Sequence, residues 1–447
     1  MKRWLRLPDV DGPAVRAYQR LLTAALLSNL GDGMRRIAMP LLAATLTHDP
    51  LLVGVLSSAV FLPYLFFAVP AGVYSDRMDR RTAMIGATVT RAGALTAMCL
   101  SLVSGTVAVW QVFVLSLVLG GAECLYDTSA DAALPTLVPA AALDRANARL
   151  QGVITVANEF LGGPAGGFLF AAVAVGPFAV ELGAALLVIA LITGLPSLTQ
   201  HRRQPDEQQQ PAGAGTGAQD RRTPAPGHLR SVLAETIAGI RWLLGYPQLR
   251  ALALLTAVGG LCLELAQATM VLFALHVLHL PEAAFGVFAS AAAVGGVLGV
   301  SVVGVLVARF SRFLVMSCAL MAQPLFLFGV GVAPNPVLAW VSLALVAAAV
   351  GVWNVLTVTA RQLLTPNAVY GRVQGVWRTV IWGALPIGAV LGGLIAREFG
   401  LRAPWLAGAA VFLLVAAGCL PVVRRVCTLV DAQVAQRGAV PAEDTRP

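Results

Sequence analysis

Long apolar runs separated by short polar stretches dominate this sequence. A membrane helix needs about 20 mostly apolar residues to cross about 30 Å of hydrocarbon, and twelve runs reach that length. They cover residues 20–47, 51–75, 82–104, 107–134, 147–173, 176–197, 249–275, 283–308, 313–333, 336–360, 370–396 and 403–423. The pattern predicts an all-α integral membrane protein with twelve transmembrane helices, called helices 1 to 12 in chain order.

Composition and charge agree with this prediction. Hydrophobic residues make up 58% of the 447 residues and charged residues 12%, far from the averages for soluble domains. Arginines gather at both termini and in the loops on one side of the predicted bundle, as the positive-inside rule requires. We therefore expect a multi-pass protein of the cell (plasma) membrane with both termini cytoplasmic. The formal charge of +9 then reflects topology, and we expect no nucleic-acid partner.

One long hydrophilic break divides the chain. Residues 199–230 are rich in Gln, Pro, Gly and Ala and lack apolar periodicity, which predicts a flexible cytoplasmic linker. It separates an N-terminal six-helix half, residues 1–198, from a C-terminal half, residues 231–425, that opens with an amphipathic interfacial helix. Residues 426–447 are short and polar, and we expect them to form a disordered cytoplasmic tail.

Two pairs of similar sequence segments indicate that the two halves are repeats of one unit. The loop at residues 72–81 has a fainter copy at 304–313, with the glycine and two arginines in register. Helices 5 and 11 open alike, with Arg149-Leu-Gln-Gly-Val and Arg372-Val-Gln-Gly-Val. Repeats related by an axis along the membrane normal are a known transporter design. We expect two pseudo-symmetric six-helix halves around one cavity.

These motifs resemble those of the major facilitator superfamily over essentially the whole chain. Within it, the chain is similar to the twelve-helix drug/proton antiporters, near the enterobactin-exporter-like and macrolide-efflux-like members. The resemblance rests on the 72–81 loop, Asn29-Leu-Gly-Asp-Gly in helix 1, Leu143-Asp-Arg-Ala-Asn before helix 5 and Gly371-Arg-Val in helix 11. It implies the superfamily fold, with helices 1, 4, 7 and 10 lining the cavity.

The loop after helix 2 is the candidate gating motif. Its residues are Gly72, Asp76, Arg77, Arg80 and Arg81. The resemblance implies that Asp76 docks on the N-terminus of helix 11, which exposes unpaired N–H groups and partial positive charge, when the cytoplasmic gate closes. It also implies that the arginines bind lipid headgroups or acidic partners. A plain positive-inside cluster is the alternative interpretation, and Asp79 replaces the glycine usual in the motif.

Helix 5 carries a glycine-proline segment similar to the antiporter motif. Its candidate hinge residues are Gly163, Pro164 and Gly167. In the family this segment implies export rather than import. Phe168 stands where the second glycine of the final pair would fall, so the match to the antiporter motif is incomplete.

Ionisable side chains inside membrane helices are costly, so each one is a candidate functional residue. The candidate proton or substrate ligands are Asp32, Glu123, Asp127, Glu159, Glu264 and Asn354. The candidate buried counter-charges are Arg35, Arg36, Arg91 and Arg378. Asp32 either binds a proton or a cationic substrate, or forms a static pair with Arg35 or Arg36. Arg378 is either a counter-charge or part of a structural ion pair on helix 11.

The remaining acids differ in position. Glu123, Asp127 and Asp131 follow one another at spacings of four along one face of helix 4, and Glu123 is favoured because it lies deepest. Glu264 is favoured because the resemblance places helix 7 at the cavity. Glu159 is equally compatible with a contact to the other half.

The sequence contains no pattern typical of an enzyme or a bound cofactor. A G-x-x-x-x-G-K-[ST] phosphate loop is absent, and no nucleophile–base pair stands out. The six cysteines have no paired spacing. His276 and His279 have the spacing of a weak metal-ligand pair, but ordinary interfacial polar residues are the preferred interpretation. We expect neither a metal nor another cofactor.

We expect a proton-coupled secondary transporter that exports a lipophilic or amphipathic small molecule, such as a drug, an antibiotic, a siderophore or a metabolite. One buried carboxylate, Asp32, Glu123 or Glu264, would exchange a proton for substrate. The protein is expected to act as a monomer in the lipid bilayer. Two alternatives stay open: a proton-coupled importer of a small metabolite, and a transport-inactive membrane sensor or scaffold.

Overall fold

The computed structural model describes residues 13–63, 79–138, 143–195 and 241–438. The regular elements in these residues are all helices, which we number in chain order. They are α1 Pro13–Leu46, α2 Pro50–Ser58, α3 Arg80–Val103, α4 Val109–Leu137, α5 in the segments Leu143–Thr155, Val156–Gly162 and Gly163–Ala172, α6 Gly176–Thr193, α7 Pro247–Gln267, α8 in the segments Glu282–Ala289 and Ala291–Arg309, α9 Arg312–Val332, α10 Pro336–Leu364, α11 Asn367–Phe399 and α12 Ala403–Gly438. Two short segments, Met270–Leu272 and the π-helical Phe273–Val277, continue α7.

The predicted all-α membrane class is confirmed. Ten helical stretches in the described residues are long and apolar enough to cross a membrane. They correspond to ten of the twelve predicted spans. The other two predicted spans are helices 1 and 2. α1 is longer than the other helices of the first half but carries Asp32, Arg35 and Arg36 within its length. The structure describes helix 2 only as far as residue 63.

Several helices begin at side-chain caps that the sequence supplies. The Oδ1 atom of Asp79 accepts the N–H of Arg81 at 3.0 Å at the start of α3, and Asn335 accepts the N–H of Leu338 at 2.9 Å at the start of α10. Asp is a strong N-cap residue, whereas glycine caps without a side-chain acceptor. The replacement of the motif's usual glycine by Asp79 therefore gives α3 a capped start.

Helix packing repeats between the two halves. In the first half, α1 packs against α5 and α6, and α3 packs against α4 and α6. In the second half, α7 packs against α11 and α12, and α9 packs against α10 and α12. Each pair in one half thus has its counterpart six helices later in the other.

The halves meet through two equivalent helix pairs, α2 with α11 and α5 with α8. A Cβ placed on Gly286 of α8 would lie 2.5 Å from the carbonyl oxygen of Gly163, and one placed on Gly54 would lie 3.0 Å from the Cα of Gly393. Glycine lets helix backbones approach closely in membrane bundles. The predicted hinge segment of helix 5 therefore lies at a contact between the halves.

Further contacts between the halves lie at the end of the bundle remote from both described termini. Nη1 of Arg397 lies 3.5 Å from Oδ2 of Asp49, and the ring centroids of His48 and His276 lie 5.7 Å apart. The Ser57 hydroxyl donates to the carbonyl oxygen of Ala268 at 3.0 Å. The bundle is joined at this end, around the turns that follow α1 and α11.

The expected disordered tail is wrong for residues 426–438, because α12 continues as a helix to Gly438. Val423, Val426, Cys427 and Val430 are buried at a spacing that forms one face of the helix. Arg312 of α9 donates to Asp431 at 3.0 Å beside this stripe. Packing against α9 therefore keeps the extension helical despite its polar composition.

Parts of the predicted organisation lie outside the described residues. These are the linker at 199–230, most of the expected interfacial helix, and Gly72, Asp76 and Arg77 of the gating motif. The two described arginines of that motif contact protein: Arg80 is buried, and Arg81 donates to the carbonyl oxygen of Thr193. Their predicted role in binding lipid headgroups stays a prediction.

Gly286→Ala tests the close contact between α5 and α8. The added methyl group would meet the backbone of Gly163, so we expect the free energy of unfolding in detergent to fall by about 1–3 kcal/mol. Gly304→Ala is the matched control, because a Cβ there meets no atom within 4 Å. Equal thermal unfolding midpoints for the two variants would contradict the contact.

Candidate functional site

Five charged side chains from four helices of the N-terminal half form what we call the charge cluster. Its members are Asp32 and Arg35 of α1, Arg91 of α3, Glu123 of α4 and Glu181 of α6. Glu181 is 1% exposed, and Asp32, Arg35 and Arg91 are also buried. The Glu123 side chain is 23% exposed, so the cluster reaches the surface of the bundle at Glu123.

Arg35 joins three of the four helices. Its Nη2 atom donates to Oδ1 of Asp32 and to Oε2 of Glu123, each at 2.7 Å. Its Nε atom donates to Oε1 of Glu181 at 3.1 Å. Of the two static pairs that the sequence allows for Asp32, the structure contains the one with Arg35.

Arg91 makes the second connection between α1 and α6. Its Nε and Nη2 atoms donate to Oε1 of Glu181 at 3.0 and 2.7 Å, and Nη2 also donates to Oδ1 of Asp32. Its Nη1 atom donates to the Ser28 hydroxyl at 2.9 Å. Both buried guanidinium groups are therefore shared between Asp32 and Glu181.

Glu181 is a cluster member that is not among the candidates predicted from the sequence. The sequence contains a signal for it, because a carboxylate inside the sixth apolar run carries the same burial cost as the predicted candidate acids. A second signal is Gly31, since a Cβ there would lie 2.7 Å from Cγ of Glu181. The glycine beside Asp32 thus allows α6 to bring its carboxylate into the cluster.

Arg36 turns away from Asp32 and forms a separate polar contact. It donates to the carboxylate of Glu159 and to the side-chain oxygen of Asn158, both in the π-helical segment of α5. The Arg36 side chain is 50% exposed. The ion pair of Glu159 with Arg36 thus lies within the N-terminal half, and a role of Glu159 at the other half or as a proton or substrate ligand stays a prediction.

Other predicted site residues lie apart from the cluster. Asp127 is exposed one turn beyond Glu123 on α4. Glu264 on α7 is partly buried beside Gly388 of α11, and it makes no hydrogen bond or ion pair with another side chain in the described part of the chain. The side chains of Asp131 and Arg378 lie outside what the structure describes.

The C-terminal half contains a cavity of about 430 Å³ between α7, α8 and α10. Asn354 and Gln267 are its polar lining residues, and small and aliphatic side chains form the rest of the wall. Pockets of this size and composition bind small apolar molecules, with a few polar groups that fix orientation. Trp353, the neighbour of Asn354, instead points into the core and donates to the Thr256 hydroxyl at 3.3 Å.

Within the described residues, no group of three or more His, Cys, Asp or Glu side chains is arranged to hold a metal ion. The described cysteines are free thiols.

Comparison with known sequences places this geometry in a family. The family model of the Major Facilitator Superfamily matches residues 21–384. The chain is 28% identical over 397 residues to the multidrug efflux pump Tap of Mycolicibacterium fortuitum, covering 87% of this chain and 91% of Tap. It is 28% identical over 386 residues to the enterobactin exporter EntS of Shigella boydii serotype 4, covering 85% of each chain.

Solved structures agree on the fold. A mutant of the nucleoside transporter NupG superposes with a TM-score of 0.69 at 13% identity, covering 94% of this chain and 99% of that chain. A bacterial homologue of the iron transporter ferroportin gives a TM-score of 0.69 at 15% identity, covering 92% of this chain and all of that one. The predicted twelve-helix fold is confirmed, and the chain belongs to the major facilitator superfamily as a membrane transporter of small molecules rather than an enzyme.

Proposed function

We propose that the protein is a proton-coupled exporter of lipophilic or amphipathic small molecules that works by alternating access. The observation that carries this proposal is the charge cluster, in which ionisable groups are held inside a membrane helix bundle at considerable cost. The likeness to Tap, a multidrug efflux pump, and to EntS, an enterobactin exporter, supports the direction of transport.

The proton site proposed here is the pair of carboxylates that share Arg35. Asp32 and Glu123 accept hydrogen bonds from the same Nη2 atom, so a proton on either one neutralises its charge, weakens its attraction for the guanidinium group and lets that group move toward the other. Glu123 is the entrance, because it is the most exposed member of the cluster. The gap beside Arg91 and Glu181, which Ser28 and Thr88 also line, is too narrow for a water molecule.

The substrate site proposed here is the cavity between α7, α8 and α10. Its wall is apolar except for the amides of Gln267 and Asn354. Such a lining favours a molecule with a large apolar surface and a few hydrogen-bonding groups. Glu264 lies on the same helix as Gln267 and is a second candidate carboxylate for binding a substrate or a proton.

Alternating access requires the halves to part at one end and close at the other. If both termini are cytoplasmic, as the arginine distribution supports, the contacts at Asp49–Arg397 and Gly54–Gly393 close the outer side. The structure is then inward-facing. Opening the outer side would break these contacts and bring together the inner ends, where the 72–81 loop and the start of α11 are expected to meet.

α1 is suited to carry the effect of protonation from one half to the other. It holds Asp32 and Arg35 in the charge cluster, and it also contacts the segments Met270–Leu272 and Glu282–Ala289 of the C-terminal half. A shift of α1 after protonation of Asp32 would therefore act on helices next to the substrate cavity. The proposed unit is a monomer in the plasma membrane.

Everted membrane vesicles with an imposed pH gradient, acidic inside, test coupling and direction, with ethidium as the probe. We expect accumulation that an uncoupler abolishes and that Asp32→Asn and Glu123→Gln reduce to near the level of vesicles without the protein. Glu398→Gln, an exposed carboxylate at the end of α11, is the control and should accumulate ethidium normally. Uptake in right-side-out vesicles alone would favour the importer, and transport that ignores the uncoupler would contradict proton coupling.

Gly296→Leu tests the cavity. Gly296 lines it and a Cβ there meets no atom within 4 Å, so a leucine would fill space without disturbing helix packing. We expect the apparent affinity for ethidium to fall by about tenfold or more, since each misplaced methylene in a pocket is worth about 1–3 kcal/mol. Gly304→Leu adds the same side chain to α8 outside the cavity, and equal affinities for the two variants would refute the site.

A further inference from the structure

Glu181 uses only one of its two carboxylate oxygens. Oε1 accepts three hydrogen bonds, from Nε of Arg35 and from Nε and Nη2 of Arg91. Oε2 is buried and, within the part of the chain that the structure describes, has no hydrogen-bond partner. Leaving a buried acceptor without a hydrogen bond costs free energy of folding. Two guanidinium groups lie close to Oε2, so a specific interaction must keep their N–H groups away from it.

The hydrogen bonds of Arg91 explain why Oε2 of Glu181 has no donor. A guanidinium group binds a carboxylate best as a fork, with two N–H groups donating to two different oxygens. Arg91 instead directs both Nε and Nη2 at Oε1 of Glu181, while Nη2 also donates to Asp32 and, at 3.3 Å, to the carbonyl oxygen of Ser28. The attraction of Asp32 thus holds Nη2 away from the vacant Oε2.

We propose that Glu181 is the alternative acceptor that takes over the Arg91 guanidinium when Asp32 binds a proton. The proton goes onto a carboxylate oxygen of Asp32, and the hydrogen bond from Nη2 of Arg91 to Asp32 is released. Nη2 then donates to Oε2 of Glu181 while Nε stays on Oε1, which completes the fork. This inference rests on the proposed proton coupling and assigns Glu181 as its positioning residue.

The helices packed around Glu181 fit this exchange. The titratable and charged groups facing the cluster are Asp32 and Arg35 on α1, Arg91 and Cys99 on α3, and Glu123 and Tyr126 on α4. The segment Gly163–Ala172 of α5, which also packs against α6, contains no ionisable residue. Asp32 and Glu181 each accept from both guanidinium groups, so the two carboxylates compete for them directly.

Competition between Glu181 and Asp32 for the guanidinium groups affects the pH at which Asp32 takes up a proton. The anion at Glu181 repels the Asp32 anion and offers the guanidinium groups another partner, and both effects favour the protonated form of Asp32. In Glu181→Gln, this competitor is lost and the guanidinium groups remain with Asp32. The midpoint of Asp32 protonation should then move to more acidic pH by about one unit or more.

Infrared spectroscopy of the purified full-length protein in lipid measures that midpoint without a substrate. The signal is the C=O stretch of a protonated carboxyl group followed as a function of pH, and its loss in Asp32→Asn assigns it. We expect an acidic shift in Glu181→Gln, a smaller shift in Glu181→Asp, and no shift in Glu398→Gln.

Gly31→Ala gives a second test that leaves every charge in place. The new methyl group would lie 2.7 Å from Cγ of Glu181 and displace its carboxylate, so the midpoint should again move to more acidic pH. This variant decides the question if Glu181→Gln does not fold.

The outcomes separate the two proposals. An Asp32 signal whose midpoint is unchanged in Glu181→Gln and Gly31→Ala would overturn the role of Glu181 and leave proton coupling standing. A wild-type protein with no titrating signal that depends on Asp32 would overturn the proposed proton site and this inference with it.

Discussion

Burial of charge inside the membrane is the constraint on which the N-terminal half depends. A buried ion pair gains little over an apolar core, but removing one partner costs about 3–5 kcal/mol because the other is left unpaired. Arg35 and Arg91 each bind carboxylates from more than one helix. The relative positions of α1, α3, α4 and α6 are therefore set by one connected network, while α2 and α5 remain available to contact the other half.

The two halves share a packing plan and differ in their interiors. The same helix pairs recur six helices apart, yet charges fill the middle of the N-terminal half, and an apolar cavity with two amides lies in the C-terminal half. This arrangement supports a division in which one half exchanges protons and the other binds substrate. α1 belongs to the charged half and contacts the other half, which fits the role in coupling that we propose for it.

The fold was predictable because each span is a long apolar run and the repeat leaves matching residues in both halves. The ion-pair partners within the charge cluster were less predictable. Arg35 and Arg36 are neighbours in the sequence, and the spacing of either allows a pair with Asp32. The choice depends on Glu123 and Glu181, which arrive from distant helices. The helical extension to Gly438 was missed because its apolar stripe is short and its average composition is polar.

In the proposed transport cycle, protonation of the charge cluster moves the two halves relative to each other, and distances between spin labels measure this movement. Labels on cysteines introduced at Ser104 and Glu398, in a background without native cysteines, report on the separation of the halves at the end where the structure joins them. The account predicts a distance distribution that changes with pH around one midpoint and no longer responds in Asp32→Asn. A distribution that is the same at every pH, or an unaltered response in Asp32→Asn, would contradict it.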